Sequence, residues 1–346
     1  MRVLLVDPPA FTPAYDHELA SALARAGTEV ELVTSRFRFG ETPAPAGYRR
    51  RETFYPLSSR LFRRSRLRLP LKALEHPLGL SRIALASADV THFQWLPAPE
   101  LDARLLRSRA PLVFTAHDLL PRRTAGKHEL WRRLFGRFDR VVVHSAHGRE
   151  TLAAFGVSED RLRLIPHPLT PSDPPRSDDG RTVLALGVIR PYKQVEHASA
   201  AVRLVPGARL LVAGDPAAPL PALGAAELRL GYLPETEVAR ALGDATVAVF
   251  PYRAELDQSG ALLQALGAGV PAVVYDVAGL AEPVREYGAG RVVPADDVEA
   301  LAAALRELLH DPRALADARA GALRARGMLT WDAAAAAHLE LYRELT

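Results

Sequence analysis

Asp257, Gln258, Ser259 and Gly260 form a short polar run between two apolar stretches, TVAVFP ending at Pro251 and GVPAVVYD beginning at Gly269. Both stretches are β-branched or apolar runs closed by breakers and read as buried strands. SGALLQALGAG between them has helical composition, with Gly267 and Gly269 as places to pack closely or stop. In an open α/β sheet, the loop leaving a strand's carboxyl end and the first turn of the next helix line the ligand crevice. The N–H groups that open such a helix lack intrahelical partners, so they suit an anion or sugar hydroxyls. A plain βαβ unit with a polar loop would show the same spacing.

Two cations stand in a comparable place. In LALGVIRPYKQ, a strand is followed by a loop carrying Arg190 and Lys193, then by the helix QVEHASAAVRLV. Cations beside a helix N-terminus make a diphosphate site and would stabilise negative charge growing on a leaving group. His117 and Asp118 lie just past VFTA, at the expected carboxyl end of another strand, whereas His92 reads as structural. No Asp-x-Asp in a strand-to-loop context is present, so no metal is expected and side-chain cations would do its usual work.

The elements that must position these residues follow from composition and order. A chain of 346 residues exceeds the size at which one core usually stops growing, so two domains are expected. Hydrophobic content of 48% and charged content of 24% fit a globular protein, and the lack of cysteine excludes disulfides and thiolate chemistry. MRVLLVD opens a strand, His17 to Ala26 reads as a helix closed by Gly27, and EVELVTS as the next strand. TPSDPPRSDDG has no apolar period, which predicts a first domain over 1–169, a linker over 170–180 and a second domain over 181–325. The opening residues hold no apolar segment of signal-peptide length and no later one reaches membrane-span length, so a cytoplasmic protein is expected.

The stretch FPYRAELDQSGALLQALGAGVPAVVYDVAGLAEPV resembles the donor-binding signature of retaining glycosyltransferases of the family-four, GT-B type. Pro251, Gly260, Leu263, Ala265, Gly269, Pro271, Gly279 and Glu282 fall in register with a pattern of Glu-x7-Glu, Gly-x-Pro-Val-Val and Gly-Gly-x-x-Glu. The resemblance implies two Rossmann-like α/β lobes facing across a cleft, with a last helix, 326–346, packing back on the first lobe through Trp331 and Tyr342. It implies hexosyl transfer from a nucleoside-diphosphate sugar with retention, no enzyme nucleophile and no cofactor. The acceptor would attack on the face of the departing phosphate. Arg190 and Lys193 resemble the cations of Gly-Arg-x-x-x-x-Lys-Gly that clamp the diphosphate, with Gln194 in place of the final Gly. Gly231 and Tyr232 match a segment bordering the nucleobase, and His117 matches a histidine that contacts the transferred sugar. Asp118 would hold the loop or the histidine tautomer.

The departures are equally specific. Gln264 stands where the second Glu would hold the ribose, and it can still do so through neutral hydrogen bonds. Leu256 stands where the first Glu would touch the sugar, leaving Glu255 or Asp257 to take that role if the loop shifts by one residue. PPAFTPAYDHEL replaces the usual glycine pair of the first loop, and Pro168 replaces a glycine at the end of the first domain.

The charge of +4 is unevenly spread: residues 1–170 carry 27 Lys and Arg against 17 Asp and Glu, the remainder 17 against 23. Arg60, Arg63, Arg64, Arg66, Arg68 and Lys72 alternate with leucines in SSRLFRRSRLRLPLKALEH, where Pro70 is expected to break a basic amphipathic helix. An anionic membrane surface contacted by 60–72, a site for a phosphorylated acceptor and a solvated face are all compatible with it. No nucleic-acid motif accompanies the charges. A lipid-linked or otherwise anionic glycan acceptor follows as the expectation. Two rivals stay open: a nucleotide-sugar epimerase on the same fold, and a degenerate donor-binding partner subunit without its own catalysis.

Overall fold

A computed structural model describes residues 1–346 except Phe39, 61–67, Arg122, Glu255 and Leu256. The chain divides into two compact units, Met1–Pro166 with Trp331–Thr346, and His167–Thr330.

The first unit alternates strand and helix: β1 (Arg2–Asp7), α1 (Pro13–Arg25), β2 (Glu29–Ser35), β3 (Arg49–Phe54), α2 (Arg68–Leu85), β4 (Val90–Phe93) and α3 (Pro99–Leu105). β5 (Leu112–Thr115), α4 (His128–Phe135), β6 (Arg140–Val143), α5 (Ala146–Phe155) and β7 (Leu162–Leu164) complete the alternation. Its seven strands run parallel in the order β3-β2-β1-β4-β5-β6-β7. Strands covered by helices on both faces are buried throughout, as VTHF and LVFT are, with Thr91, His92 and Thr115 as their polar members.

α1 starts at Pro13, four residues before the expected His17, because proline at a helix start is already set at a helical φ and lacks only an N–H that would be unpaired. Pro70 lies in α2 beside 61–67, which are outside the described residues, and Pro77 is a proline inside the helix. Of the basic cluster, Arg63, Arg64 and Arg66 lie outside the described residues. What α2 does show is a set of exposed leucines: Leu69, Leu74, Leu78 and Leu85.

The second unit contains β8 (Thr182–Leu186), α6 (Val195–Arg203), β9 (Arg209–Gly214), β10 (Glu227–Leu230), α7 (Glu235–Asp244) and β11 (Val247–Phe250). It continues with α8 (Gly260–Gly267), β12 (Ala272–Tyr275), α9 (Glu282–Tyr287), β13 (Gly290–Val293), α10 (Val298–His310) and α11 (Pro312–Met328). Its parallel sheet has the order β10-β9-β8-β11-β12-β13. Residues 170–180, read from composition as a linker, lie against this unit. Ser172 N–H donates to Gly267 O at 3.1 Å and Ser177 N–H to Gly243 O at 3.0 Å. A Cβ on Gly267 would sit 2.4 Å from Thr170 O, so only glycine lets the strap lie this close to α8.

The last helix, α12 (Trp331–Arg343), belongs to the first unit and packs along α1. Trp331 meets the Tyr15 ring edge-on at 5.1 Å, and the Tyr342 hydroxyl lies 2.6 Å from His92 Nδ1. His92 Nε2 is 2.7 Å from Thr115 Oγ1, so this imidazole is structural as expected. Burial, then the neighbouring His338 and His144, holds it well below the usual imidazole range, and it stays neutral.

Tyr342→Phe leaves one buried ring nitrogen of His92 unpaired and is expected to lower stability by about 1–3 kcal/mol. Urea unfolding measures this, and an unchanged midpoint would show that α12 is held by packing alone.

Candidate active site

A doubly wound sheet opens a crevice at the carboxyl ends of the two strands where its order reverses. In the second unit these are β8 and β11, and the loops that follow them are the two singled out in the sequence: Gly187–Lys193 and Pro251–Ser259. The Arg253 N–H donates to Tyr192 O at 2.8 Å and ties one loop to the other. Gly187, at φ +96°, is the point of closest approach: a Cβ there would lie 3.1 Å from Lys193 Nζ and 3.2 Å from the Ala261 side chain in the first turn of α8. Lys193 Nζ and the first turn of α8 thus both flank Gly187, and Ser259 caps that helix by accepting the Leu262 N–H at 3.3 Å. Gly260 faces open space.

Lys193 is 8% exposed, donates to Leu186 O at 3.3 Å and sits over the Tyr252 ring at 5.0 Å. A cation this buried meets one carbonyl and one π face, neither of which carries a full countercharge, so an incoming anion gains by supplying it. Burial, then the charge of Arg190, pushes its ammonium down to about 8. Arg190 itself is exposed. Counted back from Lys193, the Arg of Gly-Arg-x-x-x-x-Lys-Gly falls on Val188, two residues before Arg190. Arg190 is therefore out of register with the pattern although its charge acts on Lys193.

Among the other residues singled out, Asp257 and Ser259 are buried in the loop before α8, and Gln258 Nε2 donates to Gly279 O at 3.1 Å. Gln264 is exposed on α8. Tyr232 follows β10, at the sheet's edge two strands from β8, with its ring 70% exposed. Glu255 lies outside the described residues. A second cavity of about 460 Å³ opens by Thr182, Arg209 and Glu227, at the amino ends of β8, β9 and β10, opposite the end where such sheets bind ligands. Among the described residues no group of three or more His, Asp or Glu could hold a metal ion.

Two departures from the glycine pattern have a structural form. Gln194, standing for the Gly after the Lys, keeps a left-handed φ of +44°, and Ala278, first of the Gly-Gly pair, keeps +46°. The backbone has retained a glycine's shape without the glycine. Gln194 has a compensation, since its Nε2 donates to Asp296 Oδ1 at 2.7 Å.

In the first unit the order reverses between β1 and β4, and His117 follows the adjacent β5. His117 stacks on Trp95 at 5.2 Å, meets Tyr15 edge-on at 4.7 Å and places Nε2 3.0 Å from Gln94 Oε1. With that amide orientation the imidazole proton resides on Nε2. Gln94, not given a role by the sequence reading, is fully buried with its Nε2 unpaired. Gln94 and Trp95 carried the same signal as His117: polar or aromatic residues directly after a buried strand. The loop after β1 is shaped by a buried carboxyl pair. Asp7 and Asp16 hydrogen-bond each other; burial, then the charge of Asp7, holds Asp16 well above the usual carboxylate range, while burial pushes Asp7 up to about 6. Thr12, whose N–H donates to Asp7 Oδ2 at 3.3 Å, accepts the Trp95 Nε1–H at 2.9 Å.

Gln194→Gly relieves the left-handed strain while losing the Asp296 bond, and its stability is expected to stay within about 1 kcal/mol of wild type. Gln194→Ala loses the bond and keeps the strain, so it should be about 1–2 kcal/mol less stable. Equal midpoints for the two variants in urea would show that the backbone there stores no strain.

Two family models match the chain: Glycosyltransferase Family 4 over residues 15–173 and Glycosyl transferases group 1 over 180–311. A D-inositol 3-phosphate glycosyltransferase of Mycobacterium marinum is 27% identical over 86% of this chain and 72% of its own length. An exopolysaccharide phosphotransferase of Streptomyces coelicolor is 31% identical over half of this chain, which spans 20% of that protein. Among solved structures, sucrose-phosphate synthase from Thermosynechococcus elongatus superposes with a TM-score of 0.74 at 22% identity, covering 100% of this chain and 99% of that one. Anabaena HepE in complex with UDP-glucose superposes with a TM-score of 0.72 at 14% identity over the full length of both. The two parallel-sheet units, the returning α12 and the two models that between them take in both units place the chain in one family: it belongs to the family-four, GT-B glycosyltransferases.

Proposed function

We propose that this glycosyltransferase moves a hexosyl group from a nucleoside-diphosphate sugar to an acceptor hydroxyl, with retention and without a metal ion. The observation that carries the reading is the buried Lys193 ammonium held beside Gly187 and the first turn of α8 at the β8–β11 switch point. A diphosphate seated there meets a full charge from Lys193 and the unpaired N–H groups of the α8 start. Both interactions strengthen as the anomeric C–O bond breaks and its electron pair passes to the phosphate oxygen. The acceptor oxygen forms the new bond on the same face and gives its proton to that phosphate oxygen. Arg190 adds charge from the solvent side, Gln264 takes the ribose, Tyr232 borders the base, and the loop of Glu255, Asp257, Gln258, Ser259 and Gly260 holds the sugar. His117 meets the transferred sugar. HepE, held with UDP-glucose, supports a UDP-sugar as the first donor to test.

An anionic, phosphorylated or lipid-linked acceptor is supported by the excess of cations in residues 1–170 and by relatives named for D-inositol 3-phosphate. We place the protein in the cytoplasm, with the leucine-bearing face of α2 and the basic stretch 60–72 able to meet an anionic membrane; no described helix is long and apolar enough to cross one. Val188 and Gln264, at positions where the pattern has Arg and Glu, favour one rival: a donor-binding subunit that requires another chain for turnover.

Calorimetry with UDP, GDP and ADP and their sugars tests the donor site. One nucleotide is expected to bind, and Lys193→Ala to weaken it about 10–100-fold, the worth of one charge-assisted hydrogen bond. Because Lys193 must be protonated to hold the anion, affinity should fall as pH rises through about 8. Lys193→Arg, always charged, should flatten that profile. Binding by none of the nucleotides, or wild-type affinity in Lys193→Ala, sinks the donor assignment. Tight binding with transfer only after a second chain is added would establish the partner-subunit reading.

A further inference from the structure

The cavity of about 460 Å³ in the second unit lies where the donor chemistry does not reach. Thr182, at its edge, opens β8, and Gly187, beside Lys193, follows the other end of that strand. At about 3.3 Å per residue, roughly 16 Å of strand separates them. The cavity's size falls within the range of about 300–1,000 Å³ for small-molecule sites. Two pieces of chain enclose it against β9: the last turns of α6, and the segment from Leu223 to Glu227 that leads into β10.

Its apolar lining comes from Val202 and Leu223, both buried, with Leu210 and Leu211 of β9. Its polar lining is built around Ser199, 2% exposed. The Ser199 hydroxyl donates to Leu223 O at 3.0 Å, which fastens the covering segment to α6, and accepts from Arg203 Nη1 at 3.0 Å. The second bond holds the Arg203 guanidinium, one turn further along the helix, at the rim. The other charges around the cavity cancel. Arg209 pairs with Asp179 at 2.9 Å, and Arg181 reaches the same carboxylate at 3.7 Å. Arg229 meets both Glu227 and Asp244 at 2.8 Å. These are three guanidiniums against three carboxylates. Among the described residues Arg203 is in no ion pair, although residues 171–346 carry 23 Asp and Glu against 17 Lys and Arg.

We propose that this cavity binds a small amphiphilic monocarboxylate, with its carboxylate on Arg203 and its aryl or branched alkyl body between Val202 and Leu223. A planar carboxylate matches the parallel N–H pair of a guanidinium. One negative charge completes the balance that the surrounding network leaves open, whereas a dianion would exceed it. Ser199 lowers the ordering cost by holding Arg203 in place before the ligand arrives. The ligand is neither donor nor acceptor, because the length of β8 keeps it away from Lys193. Helix α6 spans the two sites: Gln194, next to Lys193, precedes it, and Arg203 ends it. The site stands on the second unit alone and does not depend on the transferase reading.

Titration of the full chain with 3-phenylpropionate, its uncharged amide and acetate, followed by ligand-detected NMR, tests this. The phenylpropionate is expected to bind one to one, at least tenfold tighter than the amide, which lacks the charge, or acetate, which lacks the body. Arg203→Gln, at an exposed position, should weaken it tenfold or more, and Arg203→Lys should recover part of the loss. Ala225→Phe, also at an exposed position, should fill the cavity and abolish binding with the melting temperature little changed. Nucleotide affinity should be the same in these three variants as in wild type, and Lys193→Ala should keep its affinity for phenylpropionate. Failure here is therefore distinct from failure of the donor site. Absence of saturable binding, equal affinity for the amide or for acetate, or wild-type affinity in Arg203→Gln or Ala225→Phe would each overturn the proposal.

Discussion

A parallel sheet wound in both directions from one strand pair sends its connections to opposite faces, and at that pair no connection covers the strand ends. Each unit of this chain has one such gap, between β1 and β4 and between β8 and β11. Most of the residues given a chemical role here stand in a loop leaving the carboxyl end of one of those strands or of its neighbours. The sheets are buried on both faces, so their strands spend nearly all their side chains on the core and leave chemistry to the loops.

The gap is useful only if its loops are held, and the two units hold them differently. In the second, backbone contact does it: the Arg253 N–H on Tyr192 O, the close approach of Gly187 to Lys193 and α8, and left-handed turns at Gln194 and Ala278. In the first, buried polar side chains do it. The Asp7–Asp16 pair, Thr12 to Trp95, Gln94 to His117 and Tyr55 to His76 to Asp102 hold the loops from a low-dielectric interior, where such bonds are strong, although Gln94 Nε2 and one oxygen each of Asp7 and Asp16 stay unpaired. Helix α12 completes this side. Trp331 backs Tyr15, which meets His117, and Tyr342 fixes His92 beneath the sheet.

The departures from the family pattern are tolerated for related reasons. Where a glycine's φ is required and another residue stands, a side-chain bond such as Gln194 to Asp296 helps offset the strain. Where the glycine pair of the first loop is replaced by PPAF, the loop becomes bulky, and Phe11 serves as a cavity wall. The cation pattern shows the opposite case. Arg190 reads as a clamp because it lies near Lys193 in the chain, yet the register falls on Val188, and what remains of Arg190 is its charge acting from an exposed side chain.

The alternation of apolar runs with amphipathic helices determined a two-unit parallel α/β fold, because burial on both faces demands continuous apolar strands and their spacing is local. It likewise determined that Lys193, Ser259, Gly260 and His117 sit just beyond strand ends, since a residue's place after a strand is a matter of sequence. Tertiary structure alone decided which strand ends are neighbours. Strand order is a long-range property, so nothing local joins Phe11 and Tyr55 to Trp95, or shows His76 and Asp102 as a buried pair 26 residues apart. Nor does composition reveal that 170–180 lies against α7 and α8, because that depends on two glycines over sixty residues away that let backbone meet backbone. Burial also decides the chemistry of Lys193. Its ammonium is ordinary in the sequence and shifted only because the fold takes it out of water.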